Sequence, residues 1–167
     1  MKHTTKSNLE AAFAGESQAY MKYIIYAEKA EREGFPTMAK LFKAIAFAEK
    51  VHATNHFRLL EKIKTTVENL ENAAAGENYE VEEMYPAFDA VAKLQNEKGA
   101  VQSFHYAIEA EKIHESMYKK AKEFIKQGKD IEAKNVYVCP VCGHTVIDEL
   151  PDKCPICGLA KEKYEKF

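Results

Sequence analysis

Glu49-Lys-Val-His52 recurs as Glu111-Lys-Ile-His114, and each copy follows a second repeated element, Gly15-Glu16 and Gly76-Glu77. The chain thus carries one potential metal-ligand set twice, Glu followed by Glu-x-x-His, at a separation of 61 to 62 positions. A three-residue spacing puts Glu49 with His52, and Glu111 with His114, on one face of a helix. Two such halves folded together supply four carboxylates and two imidazoles, which is the ligand inventory of a di-iron or di-manganese carboxylate site. Every one of these residues lies on an otherwise apolar stripe. Burying Glu16, Glu49, Glu77 and Glu111 without partners would cost several kcal/mol each or force protonation, whereas two bound cations remove that cost.

A second constellation closes the chain. Cys139-Pro-Val-Cys142-Gly and Cys154-Pro-Ile-Cys157-Gly hold all four cysteines within the last 29 residues, separated by a short hairpin-like segment. In a reducing compartment, paired Cys-x-x-Cys motifs indicate metal before disulfide. Four thiolates make a tetrahedral S₄ site suited to zinc or to a single iron. About 30 residues bury too little to fold unaided, so the metal would largely hold this module together.

The elements that must position these groups read as four helices. The first spans about 5–33, with Leu9, Phe13, Tyr20, Tyr23 and Ala27 in phase with Glu16. Gly34 ends it and Pro36 opens the second, which runs to about residue 63 with Leu41, Phe42, Ile45, Ala46, Glu49, His52, His56, Leu59 and Ile63 inward. A third starts near Thr65 and should kink at Pro86, whose missing N–H breaks a backbone bond one turn earlier. The fourth begins near Gly99, ends at Gly128 and carries Phe104, Ile108, Glu111 and Tyr118 inward. Residues 129–137 form a polar linker, and the helical period ends at Val138. The reading is therefore an all-α four-helix bundle over 1–133 and a Cys₄ metal domain over 134–167. The paired glycines beside Glu16 and Glu77 would let helices approach closely there.

Composition narrows the function classes. Hydrophobic residues at 46% allow a substantial core, and charged residues at 30% a well-solvated surface. A formal net charge of −2 without a basic block argues against nucleic acid as a partner. No stretch approaches the roughly 18–20 apolar residues of a membrane span, and Met1-Lys2-His3-Thr4-Thr5 lacks a secretory apolar region. A cytoplasmic location is the expectation.

One carboxylate breaks the repeat. Glu80 is three residues after Glu77 and shares its face, yet it aligns with Ala19 in the first half. A surplus ligand could bind one metal in one oxidation state and yield to a neighbour in another. The competing reading is a solvated helix glutamate beside Glu82 and Glu83. His3, His105 and His144 are assigned to surface or core, and His56 to core packing.

These motifs together resemble the rubrerythrin family, a ferritin-like di-iron bundle followed by a rubredoxin-like domain. The resemblance runs from Phe13-Ala-Gly-Glu-Ser17 through Glu77-x-x-Glu80 and Glu-Met-Tyr-Pro86 to both Glu-x-x-His motifs and both knuckles. It implies a non-haem di-iron peroxidase that reduces hydrogen peroxide to water in oxidative-stress defence. Two Fe ions would sit in the bundle and one in the Cys₄ site, with Zn or Mn able to replace bundle iron and Zn able to fill the Cys₄ site. Glu49 and Glu111 would bridge the irons, Glu16 with His52 serving one and Glu77 with His114 the other. His52 and Glu80 would exchange with oxidation state, while Tyr23 and Tyr85 match tyrosines that hydrogen-bond site carboxylates. Electrons would enter through the FeS₄ centre from an external NAD(P)H-linked donor protein, since the chain has no nicotinamide fingerprint. Iron storage or ferroxidation, and a non-catalytic electron carrier or zinc-ribbon protein, are the competing classes.

The join between the halves carries a further expectation. Ferritin-like bundles need one long crossover between the second and third helices, which run parallel. Only a few residues are left here, each reaching at most ~3.3–3.6 Å. The expectation is a domain-swapped homodimer, with helices one and two of one chain completing helices three and four of another.

Overall fold

A computed structural model describes residues 1–167 as two compact units, Met1–Lys64 and Thr65–Phe167. The first is a helical hairpin of α1 (His3–Arg32) and α2 (Pro36–Leu59). Its turn closes in the way the Gly34/Pro36 pair requires. Gly34 takes φ +81°, Phe35 N–H donates to the Ala30 carbonyl and Gly34 N–H to that of Glu31. Pro36 then occupies the first helical turn, where its missing N–H costs nothing. Small residues form the contact line: Ala27, Ala30 and Ala39 are buried, with Phe42 packed against them, and Ala46 and Ala53 continue the row. Phe13 stacks on Phe57 at 4.8 Å nearer the other end.

The helix α2 stops at Leu59, short of the expected 63. Glu61 adopts a left-handed φ of 56°, and Lys62 N–H turns back to the Phe57 carbonyl. The apolar stripe continues to Ile63, but the backbone does not, and Ile63 is exposed.

The second unit opens with α3 (Thr66–Tyr79), capped by a reciprocal box between Thr65 and Glu68. Instead of a simple kink at Pro86, the chain passes through a π segment, Glu80–Met84, before α4 (Tyr85–Leu94). Pro86 stands in the first turn of α4 and cannot donate to the carbonyl one turn back, so the wider π register absorbs the break. Asn96, left-handed at φ 60°, turns the chain into α5 (Lys98–Lys126). Both α3 and α4 pack along α5.

The cysteine region forms a three-stranded antiparallel sheet of β1 (Val136–Val138), β2 (Thr145–Ile147) and β3 (Glu165–Lys166), in the order β2-β1-β3. Tyr137 faces Val146 in register, and the β1-β2 hairpin closes around the first knuckle rather than lying between the two. The knuckles repeat one geometry. Cys139 N–H donates to His144 and Cys154 N–H to Leu159, while Gly143 and Gly158 return N–H bonds to Cys139 and Cys154. Both glycines need positive φ, +79° and +77°, which explains their place after the second cysteine. Cys139, Cys142, Cys154 and Tyr164 are the buried core of this region, and Tyr106 of α5 packs against it. No helix is long and apolar enough to cross a membrane.

Candidate metal centres

Each compact unit presents one copy of the repeated ligand set. In the first, a carboxylate oxygen of Glu16, one of Glu49 and a ring nitrogen of His52 lie within 4.8 Å of one another. Glu16 comes from α1, and the i, i+3 pair comes from α2. His52 Nδ1 is 3.0 Å from Glu49 Oε2 and 4.0 Å from Glu16 Oε1, with the imidazole about half exposed. In the second unit Glu77 from α3 meets Glu111 and His114 from α5 within the same limit. There His114 Nδ1 is 2.6 Å from Glu111 Oε2, and Nε2 reaches Thr145 Oγ1 at 2.8 Å and the Gly143 carbonyl at 3.2 Å.

The electrostatics of the second set are those of anions held together without enough positive charge. Burial, a hydrogen bond with Glu111 and the charges of Glu111 and Glu80 push the Glu77 carboxyl up to about 7. Glu80 also lies above the usual carboxylate range, through burial and then the Glu111 charge. Tyr85 and Tyr118 are raised as well, by burial first and by the surrounding carboxylates second. A close imidazole–carboxylate contact needs a proton or a cation between its lone pairs, and divalent iron answers the whole cluster at once. The donor set therefore fits iron.

The four cysteine sulfurs also lie within 4.8 Å of one another. Cys139 and Cys157 Sγ are 3.5 Å apart, and Cys142 and Cys154 Sγ 3.4 Å. A tetrahedral site with metal–sulfur bonds of 2.3 Å has sulfurs about 3.8 Å apart, so only a small outward movement is needed to hold the ion. Burial opposes ionisation of Cys154, yet the Tyr164 hydroxyl, the N–H groups of Cys157 and Ile156 and the Cys142 thiol bring it down to about 6. Burial pushes Cys142 and Cys157 up. A thiolate is favoured at Cys154 while Cys142 and Cys157 are kept as thiols by burial, an arrangement that a bound cation converts to thiolate ligands.

The remaining candidates divide by surroundings. Glu80 stands at the first position of the π segment, outside the three-ligand set. Tyr23 packs against Tyr26 and Phe42, with ring centroids 6.2 and 6.3 Å away. Tyr85 packs against Phe88 and Phe104 while facing the acidic cluster. His144 is buried with Nδ1 2.8 Å from the Tyr164 hydroxyl, as a satisfied core histidine should be. A Cβ at Gly15 or Gly76 would meet nothing within 4 Å, so a close helix approach within the chain does not account for the paired glycines. Two neighbours of the second set were not read as site residues from the sequence, Tyr118 being placed inward only as packing. Tyr118 is one turn beyond His114, and that spacing could have flagged it. Thr145 carried no signal, because its partner is 31 positions away.

Comparison with known proteins places these geometries. The family model described as rubrerythrin matches residues 7–122, and that of the rubrerythrin rubredoxin-like domain matches 137–165. The chain is 42% identical to rubrerythrin-2 of Clostridium acetobutylicum, covering 98% of this chain and 96% of that protein. It is 33% identical to nigerythrin of Nitratidesulfovibrio vulgaris, covering 98% and 87%. A solved structure titled as the fully reduced, all-ferrous state of nigerythrin superposes with a TM-score of 0.59 at 31% identity, over 100% of this chain and 88% of that one. The fold class is that of a ferritin-like helical bundle with a rubredoxin-like domain, and the ligand sets fit two Fe ions in the bundle and one in the Cys₄ site. With family models matched over both parts of the chain and a relative 42% identical over nearly its whole length, the chain belongs to the rubrerythrin family, di-iron proteins linked to oxidative stress.

Proposed function

We propose that this protein is a peroxidase that reduces hydrogen peroxide to two waters, consuming two protons and two electrons, in the cytoplasm. The observation that carries the reading is a Glu/Glu/His set in each unit together with a Cys₄ set in the same chain. Glu16, Glu49 and His52 together with Glu77, Glu111 and His114 would hold the bundle irons. When bound, the irons supply electrons for cleavage of the O–O bond and positive charge where oxygen becomes anionic. The chain's own residues supply the protons. Glu80, whose carboxyl is raised above the usual carboxylate range by burial and by Glu111, is the group that would hold a proton and release it towards a peroxide oxygen. Tyr85 stays protonated beside three carboxylates and can donate its phenolic hydrogen bond into the site. His52, half exposed and paired through Nδ1 with carboxylates alone, would be the ligand that exchanges with Glu80. Cys139, Cys142, Cys154 and Cys157 would hold an iron able to pass on electrons supplied by an external NAD(P)H-linked protein, with residues 1–133 as the di-iron domain and 134–167 as the electron-entry domain.

The composite site is built by two chains in a domain-swapped homodimer. The six-residue connection Leu60–Thr65 reaches at most about 20–25 Å, while the 24 residues of α2 are about 36 Å long. Apolar residues expected inward, among them Leu41, Ile45 and Leu59, are exposed in the single chain and would be covered by the partner. A monomer in solution with full di-iron occupancy would rule the swap out.

Iron-loaded protein should show visible FeS₄ bands that bleach with reductant and return on addition of peroxide. Glu80→Ala should slow peroxide turnover by roughly 10²-fold while iron content stays at the parent level. An unchanged rate would reject the role of Glu80, and bands that do not return with peroxide would reject the reading as a whole.

A further inference from the structure

The face of α5 that presents His114 also seats the first cysteine knuckle. Tyr106 packs against the Cys₄ core, and a Cβ on Gly143 would meet Ala110 Cβ at 3.5 Å. One further turn on, His114 Nε2 lies 2.8 Å from Thr145 Oγ1. The Thr145 hydroxyl donates to the Gly143 carbonyl at 2.9 Å, so its lone pairs face the ring and Nε2 carries the proton. The Gly143 carbonyl, 3.2 Å away, accepts from the same N–H. That leaves the Nδ1 lone pair directed at Glu111 and the metal set. His52, by contrast, contacts only carboxylates of its own set through Nδ1, and nothing within its unit fixes its Nε2.

We propose that the first knuckle is a supporting element of the bundle site, with Thr145 a positioning residue that fixes His114 as the Nε2–H tautomer. Metal in the Cys₄ site orders Gly143 and Thr145, and these present His114 Nδ1 to the bundle metal. Filling the Cys₄ site therefore tightens metal binding in the bundle. The coupling is intrachain, because α5, Gly143 and Thr145 all belong to the Thr65–Phe167 unit. It rests on reading Glu77, Glu111 and His114 as metal ligands, and not on peroxide reduction.

The test uses the full-length chain and Co²⁺, whose thiolate charge-transfer band reports the Cys₄ site separately from the bundle. In the parent, bundle affinity for Co²⁺, measured against a competing chelator, should be higher with the Cys₄ site filled by Zn²⁺ than with it empty. In Thr145→Val, which keeps the β-branched shape, bundle affinity should fall about tenfold or more, the cost typical of losing an outer partner of a metal-bound histidine. Nitrogen NMR of the zinc-loaded protein should show a single Nε2–H tautomer for His114 in the parent and a mixture in the variant. Thr145→Ser should restore both properties. Equal bundle affinity with the Cys₄ site filled and empty would overturn the coupling even if Thr145→Val fails to fold. A folded Thr145→Val with parental affinity and tautomer would overturn the role of Thr145. Absence of peroxide turnover in the parent would count against the proposed function alone, since none of these measurements reads turnover.

Discussion

Glu77 experiences the crowding of the second ligand set most strongly. Its carboxyl is lifted to about 7 by burial, by the hydrogen bond with Glu111 and by the charges of Glu111 and Glu80. A group with a folded value above its unfolded one stabilises the fold fully below the unfolded value, and that contribution is lost as pH rises through the folded value. Metal-free protein should therefore lose thermal stability between about pH 4.5 and 7. Metal reverses the sign, because it binds the carboxylate and must expel the proton, so loading should weaken as pH falls below 7. Thermal melts with chelator and with metal across that range would show the two trends crossing. Melting curves of the apoprotein that are flat between pH 4.5 and 7 would remove Glu77 as the dominant group. Placing this carboxylate in the site required only its phase on the helix. Its protonation could not be read the same way, because Glu111 is 34 positions away and reaches it only in the fold.

At the scale of elements, local signals and long-range ones part company. The Thr65/Glu68 box opens α3 with both reciprocal bonds made. Its removal in Thr65→Ala should cost about 1 kcal/mol and lower the melting temperature by roughly 2–4 °C, with metal content unchanged. A variant melting with the parent would mean that α3 is held by packing on α5 rather than by its cap. Such caps, the Gly34–Pro36 turn and both cysteine knuckles are legible in sequence because few adjacent residues determine them. The four helices are legible because their apolar period persists over many turns. The π segment at Glu80–Met84 is not, since Pro86 announces a broken bond without saying how the register will absorb it. Nor is the end of α2, where Glu61 takes a left-handed conformation that glycine or asparagine would have advertised. The contact of Thr145 with His114 lies beyond any periodicity, since it depends on where the sheet settles on α5.

For the whole molecule, the governing fact is that one chain divides at Lys64 and Thr65 with a complete three-ligand set on each side. Sequence duplication foreshadows the division, because the second set repeats the first. The halves are nonetheless unequal. The second has the additional carboxylate of Glu80, the raised Tyr85 and Tyr118, and a histidine braced by a knuckle. The first has a half-exposed histidine with carboxylates as its only partners. In the proposed reaction this inequality gives each half its own task, one to hold its metal steadily and the other to let a ligand change.

Confinement of each set to one side of Lys64 has a consequence for inheritance. If swapped partners build the composite sites, damage to the two halves is separable in a mixed population. A chain with Glu49→Ala and a chain with Glu111→Ala should each be inactive alone. Expressed together, they form mixed dimers in which one composite site takes both damaged halves and the other takes both intact ones. Random assortment should return about a quarter of the parental peroxide turnover and iron-pair content. If every chain builds its site alone, co-expression returns nothing, so two defective alleles in one cell would report the assembly without any structure being solved.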